Sequence, residues 1–132
     1  MKALVVEDEF KSRTLLQRIL SRYGNCDVAI NGEEALEAFV HAWKDGEPYD
    51  LICMDIMMPE MDGQQALKDL REMEKKAGVE QQYEVKVIMT TAYDLQEEKN
   101  EAFEWGCNDY LVKPIDKNKL LDILRKYKLI EG

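Results

Sequence analysis

Glu7 and Asp8 close an apolar run at Val5-Val6, and Asp55 closes another, Leu51-Ile52-Cys53-Met54. Two further runs end differently: Val87-Ile88-Met89 leads into Thr90-Thr91-Ala92, and Tyr110-Leu111-Val112 into Lys113-Pro114. These ends offer carboxylates, a hydroxyl and an amine. An aspartate can attack a phosphoryl group to give an acyl phosphate. Carboxylates gathered at one point repel one another and raise at least one pKa unless a cation intervenes, and an all-oxygen donor set suits Mg2+. An ammonium group can then balance charge that spreads over phosphoryl oxygens. Taken singly, Asp55 also reads as a solvated acid before Pro59, and Glu7-Asp8 as acids complementing a helix dipole.

Strand-like runs alternate with helical patterns, which is the signature of βα units. After Lys2–Val6, the segment Phe10–Tyr23 places Leu15, Leu16, Ile19, Leu20 and Tyr23 at helical spacing, and Gly24-Asn25 stops it. Cys26–Ile30 is a short second strand. Asn31 with Glu34 three residues on opens a helix whose apolar face is Ala35, Leu36, Phe39, Val40 and Trp43. Leu51–Met54 is apolar throughout, as a central parallel strand buried on both faces must be. A third helix is expected over Gly63 to Lys76, then a polar connection to Glu84 and a strand at Lys86–Thr90. Asp94 to Glu97 resembles a capping box opening a weakly amphipathic helix that ends at Trp105-Gly106. Asp109–Val112 and a helix from Asp116 to about Lys128 complete five βα units. The expected fold class is α/β, a doubly wound parallel sheet, whose ligands gather outside the carboxyl ends of the strands.

The 132 residues, 45% hydrophobic and 34% charged, suit one domain with one substantial core. A net charge of −9 argues against nucleic-acid contact, which relies on clustered Lys and Arg. The acidic start at Glu7 is unlike a signal peptide, and no apolar stretch nears the roughly 20 residues of a membrane span. A cytoplasmic location is expected. Three widely spaced cysteines lack a C-x-x-C pair and indicate neither a disulfide framework nor a zinc site; Cys53 is expected in the core. His41, the single histidine, is expected at the solvated surface.

Glu7-Asp8, the stretch Asp55-Ile56-Met57-Met58-Pro59-Glu60-Met61-Asp62-Gly63, Thr91-Ala92 and Gly106 to Pro114 together resemble the receiver domain of response regulators, of the stand-alone CheY-like type. The resemblance runs along the whole chain. It implies five strands in the order 2-1-3-4-5 with five helices, and one receiver domain over residues 1–132. It further implies Asp55 as phosphoacceptor, with Mg2+ held by Asp8, Asp55 and the Met57 carbonyl, and Glu7 acting largely through water. Lys113 would pair with the phosphoryl group, aimed by a loop whose Pro114 usually follows a cis bond. Thr91 would donate a hydrogen bond to that group, and Tyr110 would be the switch aromatic that follows the threonine. Thr90 is the rival donor; side-chain alternation lets only one serve, and Ala92 favours Thr91. The implied partners are a sensor histidine kinase or a histidine phosphotransfer protein, and a downstream protein reached through helix 4, strand 5 and helix 5. Such a chain is a phosphoacceptor and not an enzyme.

Two other classes compete. An aspartyl-nucleophile phosphatase of the haloacid dehalogenase type wants a second aspartate two residues after the first, where this chain has Met57. A flavodoxin-like cofactor binder wants a Ser-, Thr- or Gly-rich loop after strand one, where Glu7-Asp8-Glu9 stands.

Overall fold

The computed structural model describes residues 1–58 and 61–132; Pro59 and Glu60, part of the Asp55–Gly63 motif, lie outside the described residues. Five strands, β1 (Lys2–Val6), β2 (Asn25–Ala29), β3 (Leu51–Asp55), β4 (Lys86–Thr91) and β5 (Asp109–Val112), form one sheet. Its order is β2-β1-β3-β4-β5, parallel throughout. Winding reverses between β1 and β3, so their carboxyl ends open a crevice holding Glu7, Asp8 and Asp55.

Alternation along the strands sorts the core into two layers. Leu4, Val6, Ile52, Met54, Val87 and Met89 pack with α2 (Gly32–Lys44) and α3 (Gly63–Lys76). On the other face Ala3, Val5, Leu51, Cys53, Ile88 and Leu111 pack with α1 (Phe10–Ser21) and α5 (Lys117–Lys126). Every residue of β3 is buried, as its unbroken apolar run requires. Cys53 is in the core and His41 pairs at the surface with Asp45.

Local chemistry explains most boundaries. Asn31 accepts from the Glu34 amide while Glu34 Oε1 accepts from the Ile30 amide, and Asp62 and Asp116 cap α3 and α5 in the same way. The expected cap at Asp94 is absent. There α4 (Gln96–Glu104) starts one residue later, with Leu95 at its N-cap and no side-chain cap, because Asp94 pairs with Lys99 instead. Leu15, expected on the core face of α1, is 45% exposed, since the buried stripe is Leu16, Ile19 and Leu20. A 3-10 turn, Gln81–Tyr83, lies within the connection from α3 to β4.

Two packing details set the site's position. The Gly63 amide donates to the Ile56 carbonyl at 2.8 Å, and a Cβ on Gly63 would stand 2.2 Å from the Asp55 carbonyl oxygen. The first turn of α3 therefore rests on the Asp55 backbone. At the other end of α3 the buried Glu74 accepts from Arg71 at 2.6 Å and from the Val85 amide at 2.9 Å. Arg71 reaches on to the Gly106 carbonyl and Asn108, which itself accepts from the Val87 amide. That fully bonded cluster ties α3 to the starts of β4 and β5.

Candidate functional site

Alternation also decides which polar groups meet. Val5, Cys53, Ile88 and Leu111 all face α1 and α5, so the residues two further on, Glu7, Asp55, Thr90 and Lys113, lie on that same side at the strand ends. Register agrees, with Asp55 opposite Thr90 and Thr90 opposite Leu111.

Lys113 Nζ lies 2.8 Å from Glu7 Oε2 and 3.3 Å from Asp55 Oδ2, joining β5 to β1 and β3. The second oxygen of Asp55 accepts from the Met57 amide at 3.3 Å, and Glu7 Oε1 accepts from the Glu9 amide at 3.2 Å. The Lys113–Pro114 bond is cis. Glu7 and Asp55 are buried while Asp8 is exposed, and one carboxylate oxygen from each of the three lies within 4.8 Å of the others. Beside them a shallow cavity of about 380 Å³ opens between Asp8, Ile56, Met57, Met58 and Asp62.

The electrostatics follow from crowding three acids around one amine. Burial pushes the Glu7 carboxyl above its ordinary range, the Lys113 hydrogen bond pulls it back, and Asp55 pushes it up again. Asp55 is likewise raised, by burial first, against the pull of Lys113. Burial disfavours the charge on Lys113, but the bond to Glu7 and the fields of Asp55 and Glu7 outweigh it and hold the amine above its usual value. Among the described residues the cluster carries three carboxylates and one ammonium, so it favours a cation.

Thr91 is fully buried at the end of β4, and its hydroxyl accepts from the Tyr93 amide at 3.2 Å. It lies on the face of Met89 and Tyr110, across the strand from Thr90. The Tyr110 hydroxyl donates to Glu98 Oε1 at 2.9 Å, and Lys99 Nζ stands 5.6 Å from the ring centre. Burial, then the Glu98 bond, raise the Tyr110 phenol, with the Thr91 hydroxyl acting in the opposite direction. Thr91 and Tyr110 are thus neighbours near the site, while the four groups on the α1 side are Glu7, Asp55, Thr90 and Lys113. Sequence reasoning set Thr90 aside; the signal for it was the two-residue offset from Ile88, read together with the pairing of β4 to β3.

Known proteins resemble this chain along nearly its whole length. The family model for the response regulator receiver domain matches residues 3–125. Two-component response regulator 24 of Arabidopsis thaliana is 42% identical over 127 residues, covering 96% of this chain and 83% of that one. Among solved structures, the receiver domain of Ssk1 of Saccharomyces cerevisiae, crystallised with the histidine phosphotransfer protein Ypd1, superposes with a TM-score of 0.82. It is 32% identical, over 96% of this chain and 88% of the other. The receiver domain of sensor histidine kinase PA1611 of Pseudomonas aeruginosa, with a magnesium ion in its active-site cleft, gives 0.77 at 28% identity, covering 96% and 95%. The chain also matches hybrid histidine kinases, of whose length it spans as little as 6%.

Proposed function

The chain belongs to the response regulator receiver family of two-component and phosphorelay signalling, and from that premise we propose that Asp55 is its phosphoacceptor. The carrying observation is Asp55 itself, buried beside Glu7 and Asp8 with Lys113 at 3.3 Å. One Asp55 oxygen attacks the phosphorus of a phosphohistidine as the P–N bond breaks. The departing imidazole keeps the bonding pair and takes a proton. Lys113 draws its charge toward the phosphoryl oxygens, and Thr91, shifting from its Tyr93 contact, donates to one of them.

Asp8, Asp55 and the Met57 carbonyl, with Glu7 through water, fit Mg2+, since the cluster is all oxygen and electrostatically under-compensated. When bound, the ion supplies positive charge for the incoming phosphoryl oxygens. The magnesium in the PA1611 receiver supports this assignment. The donor is a sensor histidine kinase or a histidine phosphotransfer protein, a reading supported by the Ypd1 complex of the yeast relative. Residues 1–132 act as one receiver unit in the cytoplasm, and its output is a protein contact over α4, β5 and α5, with Tyr110 as the switch. No helix among the described residues is long and apolar enough to cross a membrane.

Intact-mass measurement after incubation with acetyl phosphate and Mg2+ tests the assignment. One added phosphoryl group is expected in wild type, and none in Asp55→Asn or after chelation. An Asp55→Asn variant modified at the wild-type rate would overturn it.

A further inference from the structure

Thr90 is 1% exposed, and its Oγ1 has no hydrogen-bond partner among the described residues. A hydroxyl buried in this way carries an uncompensated desolvation cost, which valine, nearly the same shape and a better strand former, would avoid. Its surroundings narrow what the hydroxyl can do. On its own face of the sheet its in-register neighbours are Leu111 and Asp55. Leu111 offers no polar atom. Lys113, two residues past Leu111, can donate but cannot accept, and it already serves Glu7 and Asp55. Glu7, the other carboxylate on this face, follows β1, one strand beyond β3, so the side-chain acceptor in register with the Thr90 proton is the Asp55 carboxyl group.

At present both Asp55 oxygens are occupied, Oδ1 by the Met57 amide and Oδ2 by Lys113. That changes once one oxygen bonds to phosphorus and the ammonium turns to the phosphoryl group. The carboxyl group then loses its strongest donor, and Thr90 stands opposite it in the register with an unused proton. We infer that Thr90 is a positioning residue for Asp55, its hydroxyl taking over the carboxyl group that Lys113 releases during phosphoryl transfer. The role rests on Asp55 being the phosphoacceptor and is separate from that of Thr91, which lies on the opposite face of β4. It also accounts for a polar side chain at a strand position where Val or Ile would pack without penalty.

The test compares wild type, Thr90→Val and Thr90→Ser for acyl-phosphate formation from acetyl phosphate with Mg2+, and for thermal unfolding. Thr90→Val is expected to unfold at the wild-type temperature or higher, yet to accept the phosphoryl group about fivefold more slowly, the factor that one ordinary hydrogen bond corresponds to. Thr90→Ser, which keeps the hydroxyl, is expected to stay within about twofold of wild type. Wild-type speed in Thr90→Val, or a Thr90→Ser as slow as Thr90→Val, overturns the role of Thr90. A wild type that gains no phosphoryl group overturns the assignment of Asp55, and the role of Thr90 with it.

Discussion

Met57 and Tyr93 are both exposed side chains, at 58% and 53%. Met57 follows Asp55 by two residues and Tyr93 follows Thr91 by two. Neither carries a carboxylate or amide to orient a water molecule, and hydrolysis of an acyl phosphate requires water in line with the breaking bond. The phosphorylated state is therefore expected to persist. First-order loss of phosphoprotein after donor removal, followed in wild type and in the double variant Met57→Asn with Tyr93→Glu, checks this. Acceleration of about tenfold, some 1.4 kcal/mol of barrier, is expected in the double variant, and an unchanged or slower rate would contradict it. At this scale the sequence showed the charged groups well, because Glu7, Asp55 and Lys113 each close an apolar run. It placed the two threonines on opposite faces without saying which face each takes. Residue type and the Thr91-Ala92 motif favoured Thr91, whereas the face each hydroxyl takes depends on pairing between strands distant in sequence.

The two helices beside β4 are held very differently. In α3, Ala66, Leu67 and Leu70 are buried and Glu74 anchors the last turn; in α4, Ala102 is the one buried residue, while Leu95, Phe103 and Trp105 face solvent. What holds α4 at the site end is polar: the Glu98–Tyr110 bond at 2.9 Å, Lys99 over the Tyr110 ring, and Gln64 Nε2 donating to the Glu98 carbonyl at 3.4 Å. A helix with so little apolar burial opens at low cost, and a change at Thr91 and Tyr110 reaches it directly. Hydrogen exchange with and without beryllofluoride is expected to change most over α4, β5 and α5, and Glu98→Gln to raise exchange in α4 of the unmodified protein. Changes confined to α1 through α3 would refute this. Strand and helix positions were otherwise legible, since burial on a sheet imposes period and length. The start of α4 was not, because Asp94 could cap the helix or pair with Lys99, and sequence spacing alone does not separate the two.

For the molecule as a whole, the crowded site is a source of instability. Burial raises Glu7 and Asp55, so between their unfolded and folded pKa values the native chain holds protons that the unfolded chain has released. Their contribution to stability is fullest below the ordinary carboxylate range and is lost as pH rises through the folded values. Metal-free Asp55→Asn should therefore gain melting temperature over wild type as pH climbs from about 4 to about 7. Mg2+ should close that gap by stabilising wild type alone. Thermal scans across this range, with Mg2+ or with chelator, check both statements; a difference that shrinks with rising pH would contradict them. The close seating of Gly63 on the Asp55 carbonyl has a mechanical counterpart. Asp62, on the rim of the cavity beside Asp8 and Met57, and Gln64, bonded to Glu98, flank Gly63 on a turn that touches the strand of Asp55 backbone to backbone. With no side chain between the two backbones to act as a cushion, a residue larger than glycine at position 63 would push the Asp62 rim and the Gln64 contact with α4 away from Asp55 together.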